Sequence, residues 1–267
     1  MARSIGTVTS EAGRERTQRE FSHQAKRFER PGYIFGDRAI LDWIRAPLPL
    51  DPASLVLDVA GGTGRLGRHL AREAACAVIV DLTSEMLAEG ARAAREEDVR
   101  NVVFMSGDAS ALPFAERQFD LVVCRFALHH FEDPGAAVRE MARVCRAGGT
   151  VAVIDMAREP GDAGERHDEL ERLRDPSHTT ALTEQELLDC LTSAGLKDVR
   201  RLGERRQPMH IGPWLDQASP ASEARAEIER ALADEGAATG LHPTHDHEGS
   251  ASIAHRWVIA AGTRASE

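Results

Sequence analysis

Hydrophobic positions along the chain switch between two spacings, and that switching predicts most of the fold. Leu55 to Val59 is a short, β-branched apolar run of the kind buried on both faces as a parallel strand. Helical spacing follows to about Ala74, with Leu66 and Leu70 on one face. The exchange recurs: Ala77 to Val80, a helix over Ser84 to Glu96, then Val102 to Ser106. Phe119 to Cys124 predicts a fourth strand, Pro134 to Val144 a helix, and Thr150 to Asp155 a fifth strand after the Gly148-Gly149 turn. Strand and helix in strict alternation imply an α/β fold around a parallel sheet, with ligands at the C-terminal ends of its strands.

The flanks are less regular. Residues 1–17 are polar and expected to be poorly ordered, whereas Phe21, Ala25 and Phe28 form one apolar face of a helix over Glu20 to Phe28, lying on the main domain. Arg30-Pro31-Gly32 breaks it, and Asp37 caps a second helix through Arg45. Gly161 to Arg174 is a charged helical insert closed by Asp175-Pro176. Thr183 caps a helix to about Ala194, and Lys197 to Arg206 and Ile253 to Ala260 supply a sixth and a seventh strand. Between the last two lie a helix over Ser222 to Glu235 and a polar loop. The expected organisation is an N-terminal helical lid (1–53), a core (54–212) carrying the charged insert 161–178, and a segment 213–267 whose final strand completes the core sheet.

Composition narrows the function. The chain has 267 residues and a formal charge of −10, which argues against a nucleic-acid binder and for a small or neutral substrate. Cys76, Cys124, Cys145 and Cys190 stand in apolar surroundings without C-x-x-C spacing and read as reduced core thiols. No apolar stretch approaches the roughly 20 residues of a membrane span, and Met1 to Glu20 lacks a signal-peptide core, so a cytoplasmic protein is expected.

The densest chemistry lies at the first strand-to-helix turn, Asp58-Val59-Ala60-Gly61-Gly62-Thr63-Gly64-Arg65-Leu66-Gly67. Closely spaced glycines between a strand and a helix let a ligand approach the backbone and the helix N-terminus. Gly62-x-Gly64-x-x-Gly67, with Asp81 nineteen positions after Gly62, also satisfies a dinucleotide fingerprint, so a nicotinamide oxidoreductase is one reading. Three strand-end acids favour S-adenosylmethionine instead. Asp58 suits the amino group of a bound amino acid and would repel a phosphate, Asp81 offers two acceptors to two ribose hydroxyls, and Asp108 can accept from an adenine amino group.

On the segments LDVAGGTGRLGRHL, VDLTSEMLAEGA, GDASALPFAERQFDLVVCRFALHHFEDP and RVCRAGGTVAVID, the chain resembles the class I S-adenosylmethionine-dependent methyltransferases, in their ubiquinone/menaquinone-biosynthesis-like branch. The resemblance covers roughly residues 20–200. It implies a Rossmann-like three-layer α/β/α sandwich with a mostly parallel seven-stranded sheet, the last strand antiparallel. It also implies a cofactor site of Asp58, Ala60, Gly62, Gly64, Asp81, Leu82, Met86, Asp108, Ala109 and Arg125, with Met86 and Ala109 as adenine walls. Ala60 departs from the pattern, standing where the family usually has its first glycine. Phe21-Ser22-His23-Gln24-Ala25 resembles the branch's closing helix, so Gln24 and Phe28 are expected to reach the cofactor.

Methyl transfer from a sulfonium is an in-line displacement in which positioning supplies much of the rate, and a base is needed when the acceptor is a hydroxyl. His129-His130 follows the fourth strand; His130 is the expected base, oriented by Asp155 at the end of strand five. His178, in a segment resembling one sub-branch of the family, is a second catalytic candidate over the substrate mouth. Either histidine can instead be a packing residue. No metal is expected, because no cysteine or clear carboxylate cage accompanies His242, His245, His247 and His255 and methyl transfer in the branch it resembles generally needs none. Trp214 beside Pro213 is a candidate lining of the acceptor pocket.

The resulting expectation is a monomeric or homodimeric enzyme that methylates an O, N or C atom of a small organic acceptor, in secondary metabolism rather than quinone synthesis. A pseudo-methyltransferase, keeping the cofactor while catalysing a cyclisation or only binding a ligand, is the alternative from a different class.

Overall fold

The computed structural model describes residues 11–29, 37–245 and 251–266. Its strands are β1 (Leu55–Val59), β2 (Cys76–Asp81), β3 (Val102–Ser106), β4 (Phe119–Arg125), β5 (Cys145–Met156), β6 (Leu196–His210), β7 (Thr244–His245) and β8 (Ala251–Arg264). Helices α1 (Glu11–Phe28) and α2 (Arg38–Arg45) precede β1. Within the core come α3 (Arg65–Ala71), α4 (Ser84–Glu96), α5 (Pro134–Val144), α6 (Asp162–Arg174) and α7 (Glu184–Ser193), and α8 (Ile211–Ala218) and α9 (Ser222–Glu235) follow β6.

The sheet runs β3-β2-β1-β4-β5-β8-β6, with the two-residue β7 beside β8. From β3 through β5 every pairing is parallel, and β8 is antiparallel to both β5 and β6. The order reverses between β1 and β4, and the crevice at their C-terminal ends is where such a sheet binds ligands.

Alternation along the central strands divides the core into two layers. Leu57, Val122, Val151 and Val258 pack with α5 and α7, while Val56, Leu121, Ala152 and Trp257 pack with α2 and α3. A third cluster, of Leu170, Trp214, Leu215, Ile228 and Ile253, joins α6, α8 and α9 over the end of β8. The caps at Asp37 and Thr183 form as their sequences require; Thr183 and Glu186 make a reciprocal capping box.

Four features depart from expectation. Helix α1 begins at Glu11, so residues 11–17 are helical although polar: Arg14 and Gln18 bond to Asp108 and to the Leu82 carbonyl, and tertiary contacts stabilise what propensity does not. Strand β5 starts at Cys145, absorbing Gly148 at φ 72° in an irregular register against β4. Strands β6 and β8 extend to His210 and Arg264 because they pair with each other along nearly their whole length. Helix α8 has no counterpart in the sequence reading. The Arg30-Pro31-Gly32 break, the side chain of His23, and His247 lie outside the described residues.

Candidate active site

The glycine turn sits on the C-terminal end of β1 under tight packing. A Cβ on Gly61 would come within 2.8 Å of the Asp58 carboxyl, and one on Gly64, at φ 72°, within 2.8 Å of Ile79. Gly62, at φ 58°, faces outward: its Cβ would meet nothing nearer than Met86 Sδ at 3.9 Å. Ala60 also takes a positive φ, 51°, so the alanine adds more than a methyl group; it holds a left-handed backbone that strains an L side chain.

The turn borders a cavity at the switch point. Ala60, Gly62, Asp81 and Leu82 lie on its wall, and so do Met86, Asp108, Ala109 and Arg125. Asp58 and Gly64 do not. Asp58 is 1% exposed beneath the turn, where its Oδ2 accepts the Gly67 N–H at 2.8 Å and its Oδ1 finds no partner. Burial pushes this carboxyl up to about 6, against the pull of the Arg125 charge. Its position corrects the expectation that Asp58 faces a ligand directly, and Gly64 serves packing against Ile79.

Asp81 and Asp108 each build a turn and also face the cavity. Asp81 accepts from Thr83 N at 2.8 Å through Oδ1 and from Gly62 N at 2.8 Å through Oδ2; burial still raises its pKa over these bonds. Asp108 accepts from Ser110 and pairs with Arg14 of α1, Nη1 to Oδ2, at 3.2 Å. The turn-forming role open to these acids is thus filled without turning them from the cavity. Helix α1 closes the mouth: Arg14, Thr17, Phe21, Gln24 and Phe28 line it, and Ser22 bonds to Glu85 at 3.1 Å. Arg14 and Thr17 carried no sequence signal, because a lid contact depends on where the helix lands.

Beyond β4, Phe126 takes φ 52° and packs at a tilt against Trp257, ring centroids 4.7 Å apart, and the chain enters a short turn that carries His129 and His130 onto the cavity wall. Asp155 does not orient His130. It holds His129, Oδ1 to Nδ1 at 2.6 Å, both residues being buried. Burial disfavours charge on His129, but the Asp155 carboxylate outweighs it and raises the imidazole above its ordinary range.

His130 has a different support. Its Nδ1 lies 3.0 Å from Ser177 Oγ, and that hydroxyl lies 2.5 Å from Asp175 Oδ1. Burial alone would raise Asp175, but the Arg174 charge and the hydrogen bonds from Ser177 hold it low, so it is an ionised acceptor of the single hydroxyl proton. Ser177 therefore accepts from Nδ1–H, and His130 presents Nε2 as its lone pair. The Phe21 ring meets His130 edge-on at 5.0 Å, and burial and the neighbouring His129 push the imidazole down to about 3.

His178 does not line the cavity. At 3% exposure it bonds through Nε2 to Asp168 at 2.7 Å, and Asp168 also takes Thr180 Oγ1 and the Ala181 N–H. Its place is behind His129, fixing the segment that brings Ser177 to His130. Trp214, fully buried with α6 and β8, is also absent from the cavity wall.

This arrangement fits S-adenosylmethionine. Two acids and an open glycine backbone face one cavity, offering acceptors suited to the ribose hydroxyls and the adenine amino group.

Comparison with known proteins agrees. Residues 56–149 match the model of the methyltransferase domain family. The chain is 32% identical over 176 residues to the uncharacterised methyltransferase YcgJ of Bacillus subtilis, spanning 65% of this chain and 68% of that protein. The YcgJ crystal structure superposes with a TM-score of 0.79 over 86% of this chain and 100% of its own. A demethylmenaquinone methyltransferase of Mycolicibacterium vanbaalenii is 41% identical over 113 residues, 42% of this chain and 46% of that enzyme. On this sequence identity and this shared fold, the chain belongs to the S-adenosylmethionine-dependent methyltransferases.

Proposed function

We propose that this enzyme methylates a small organic acceptor at a hydroxyl oxygen or at a carbon activated by one, as a tailoring step of secondary metabolism in the cytoplasm. The observation that carries the reading is the His129–Asp155 pair on the cavity wall, at 2.6 Å, beside the neutral His130. Such a pair serves an acceptor that must lose a proton, and is idle for an amine that is already neutral. Relatives named ubiquinone/menaquinone biosynthesis C-methyltransferase support a carbon acceptor. The four free thiols accord with a reducing compartment.

The residues divide the work as follows. Asp81 would hold the ribose hydroxyls of the cofactor and Asp108 its adenine amino group, Met86, Ala109 and Leu82 would wall the base, and the backbone from Ala60 to Gly62 would receive the methionine part. Asp58 acts beneath the turn by fixing Gly67. Bound there, S-adenosylmethionine supplies an electrophilic methyl group and a neutral thioether leaving group. His129 takes the acceptor proton while Asp155 holds its tautomer and steadies the imidazolium; His130 receives a hydrogen bond from the acceptor at Nε2. Helix α1 excludes water.

The test is turnover of an acceptor panel with S-adenosylmethionine, scoring S-adenosylhomocysteine and product mass. Phenols or enols gaining one methyl group support the reading. Amines alone as acceptors, or a product with unchanged methyl count and intact cofactor, would overturn it.

A further inference from the structure

Away from the cavity, α6 carries His167 and Glu171 one turn apart on the same face, and β8 brings His255 against them. All three are buried, at 2%, 0% and 1% exposure. His255 Nε2 lies 2.8 Å and His167 Nε2 3.8 Å from Glu171 Oε1, and the two rings stack with centroids 5.4 Å apart. Neither nitrogen of either ring, nor Oε1, completes a hydrogen bond. One ligand atom from each of the three lies within 4.8 Å of the other two, close enough to share a common point. Unpartnered polar atoms this deep are costly in a hydrophobic cluster.

We propose that His167, Glu171 and His255 form a binding site for one first-row divalent transition ion of the zinc type. Two imidazoles and one carboxylate are a donor set that zinc accepts. With bonds of about 2.0–2.1 Å, donors around such an ion lie roughly 3 Å apart, and the observed spacings bracket that value. The second carboxylate oxygen, Oε2, already accepts from Arg174 Nε at 2.8 Å, the outer support that orients a ligating carboxylate.

The ion would tie α6 to β8 one turn before Asp175. That is where the chain leaves α6 for the segment whose Ser177 orients His130. It would act as a staple of the active-site wall, not as a reactant. The exposed His245 stands apart from this cluster, so among the described residues the one histidine of the C-terminal group that reaches a carboxylate in the core is His255.

The test uses the full chain, stripped with a chelator and titrated with Zn²⁺, then with Co²⁺ for its visible spectrum. One equivalent, a raised melting temperature and an X-ray absorption spectrum showing imidazole and oxygen ligands without sulfur are expected. His167→Ala should weaken binding at least about tenfold. The triple variant H242A/H245A/H247A should bind as the unaltered chain does. Absence of binding to the folded chain, a sulfur shell, or loss of binding in that triple variant overturns the proposal. The spectra of the unaltered chain decide the matter even if His167→Ala does not fold.

Discussion

The Nδ1 atom of His129 lies 2.6 Å from Oδ1 of Asp155, and the same oxygen accepts the Met156 N–H at 2.8 Å, so the carboxylate at the end of β5 is committed to this imidazole. Because Asp155 raises the pKa of His129, its neutral, proton-accepting fraction grows as pH rises through values above 6.5. Turnover should climb over that range. Asp155→Asn removes the carboxylate that raises the pKa, so the climb should move to lower pH while kcat falls by about 10²–10⁴. A pH profile of kcat for both forms checks this, and an unmoved profile would exclude His129 as the base.

His130 should make the fold acid-sensitive. Its folded pKa, about 3, lies below the unfolded 6.5, so stability is fully present above pH 6.5 and is lost as pH falls toward 3. The loss is on the order of a few kcal/mol. His130→Gln, which cannot titrate, should flatten the dependence of the urea midpoint on pH between 6.5 and 4.

Asp58 should trade stability for function. Its folded pKa of about 6 exceeds the usual 3.8, so its charge destabilises the fold above pH 6 and not below 3.8. Asp58→Asn keeps an acceptor for the Gly67 N–H and should raise stability at pH 7.5 by about 1–2 kcal/mol. Cofactor affinity, read by calorimetry, should fall because the turn loses its anionic support.

Ala60 carries a strain that glycine would relieve. With φ at 51°, Ala60→Gly should raise stability by about 1 kcal/mol, the left-handed penalty less the added chain entropy of glycine. Thermal melts measure the gain, and cofactor affinity should be unchanged.

His178 should prove structural. It shares Asp168 with Thr180 and the Ala181 N–H, so His178→Ala should cost about 2–4 kcal/mol by leaving a buried carboxylate underpaired. Cofactor affinity measured below the melting temperature should stay within about twofold, below one kcal/mol.

Much of this molecule was legible in one dimension. The strands β1 to β4, the helices α4, α5 and α9, and the caps at Asp37 and Thr183 follow from periodicity and local chemistry, which act within a few residues. The acids Asp81 and Asp108 were legible for the same reason: a strand's end places its next polar residue at the sheet's rim. Less visible was the partner of each histidine. Asp155 lies 26 positions from His129, and Ser177 lies 47 positions from His130; which of two adjacent imidazoles meets which support depends on the rotation of one short turn. The same is true of His255, whose neighbours in space, His167 and Glu171, belong to a helix on the far side of β6 in sequence.

The sequence by itself determined the parallel α/β core, the glycine turn and the acids at its rim, because periodic burial and backbone conformation are properties of short segments. Tertiary structure alone decided that Asp58 lies beneath the turn, that Ala60 is strained, that α1 closes over the cavity and that His129 rather than His130 meets Asp155. Each of those depends on packing between segments distant in the chain, where burial sets both the pKa of a group and the partner it finds.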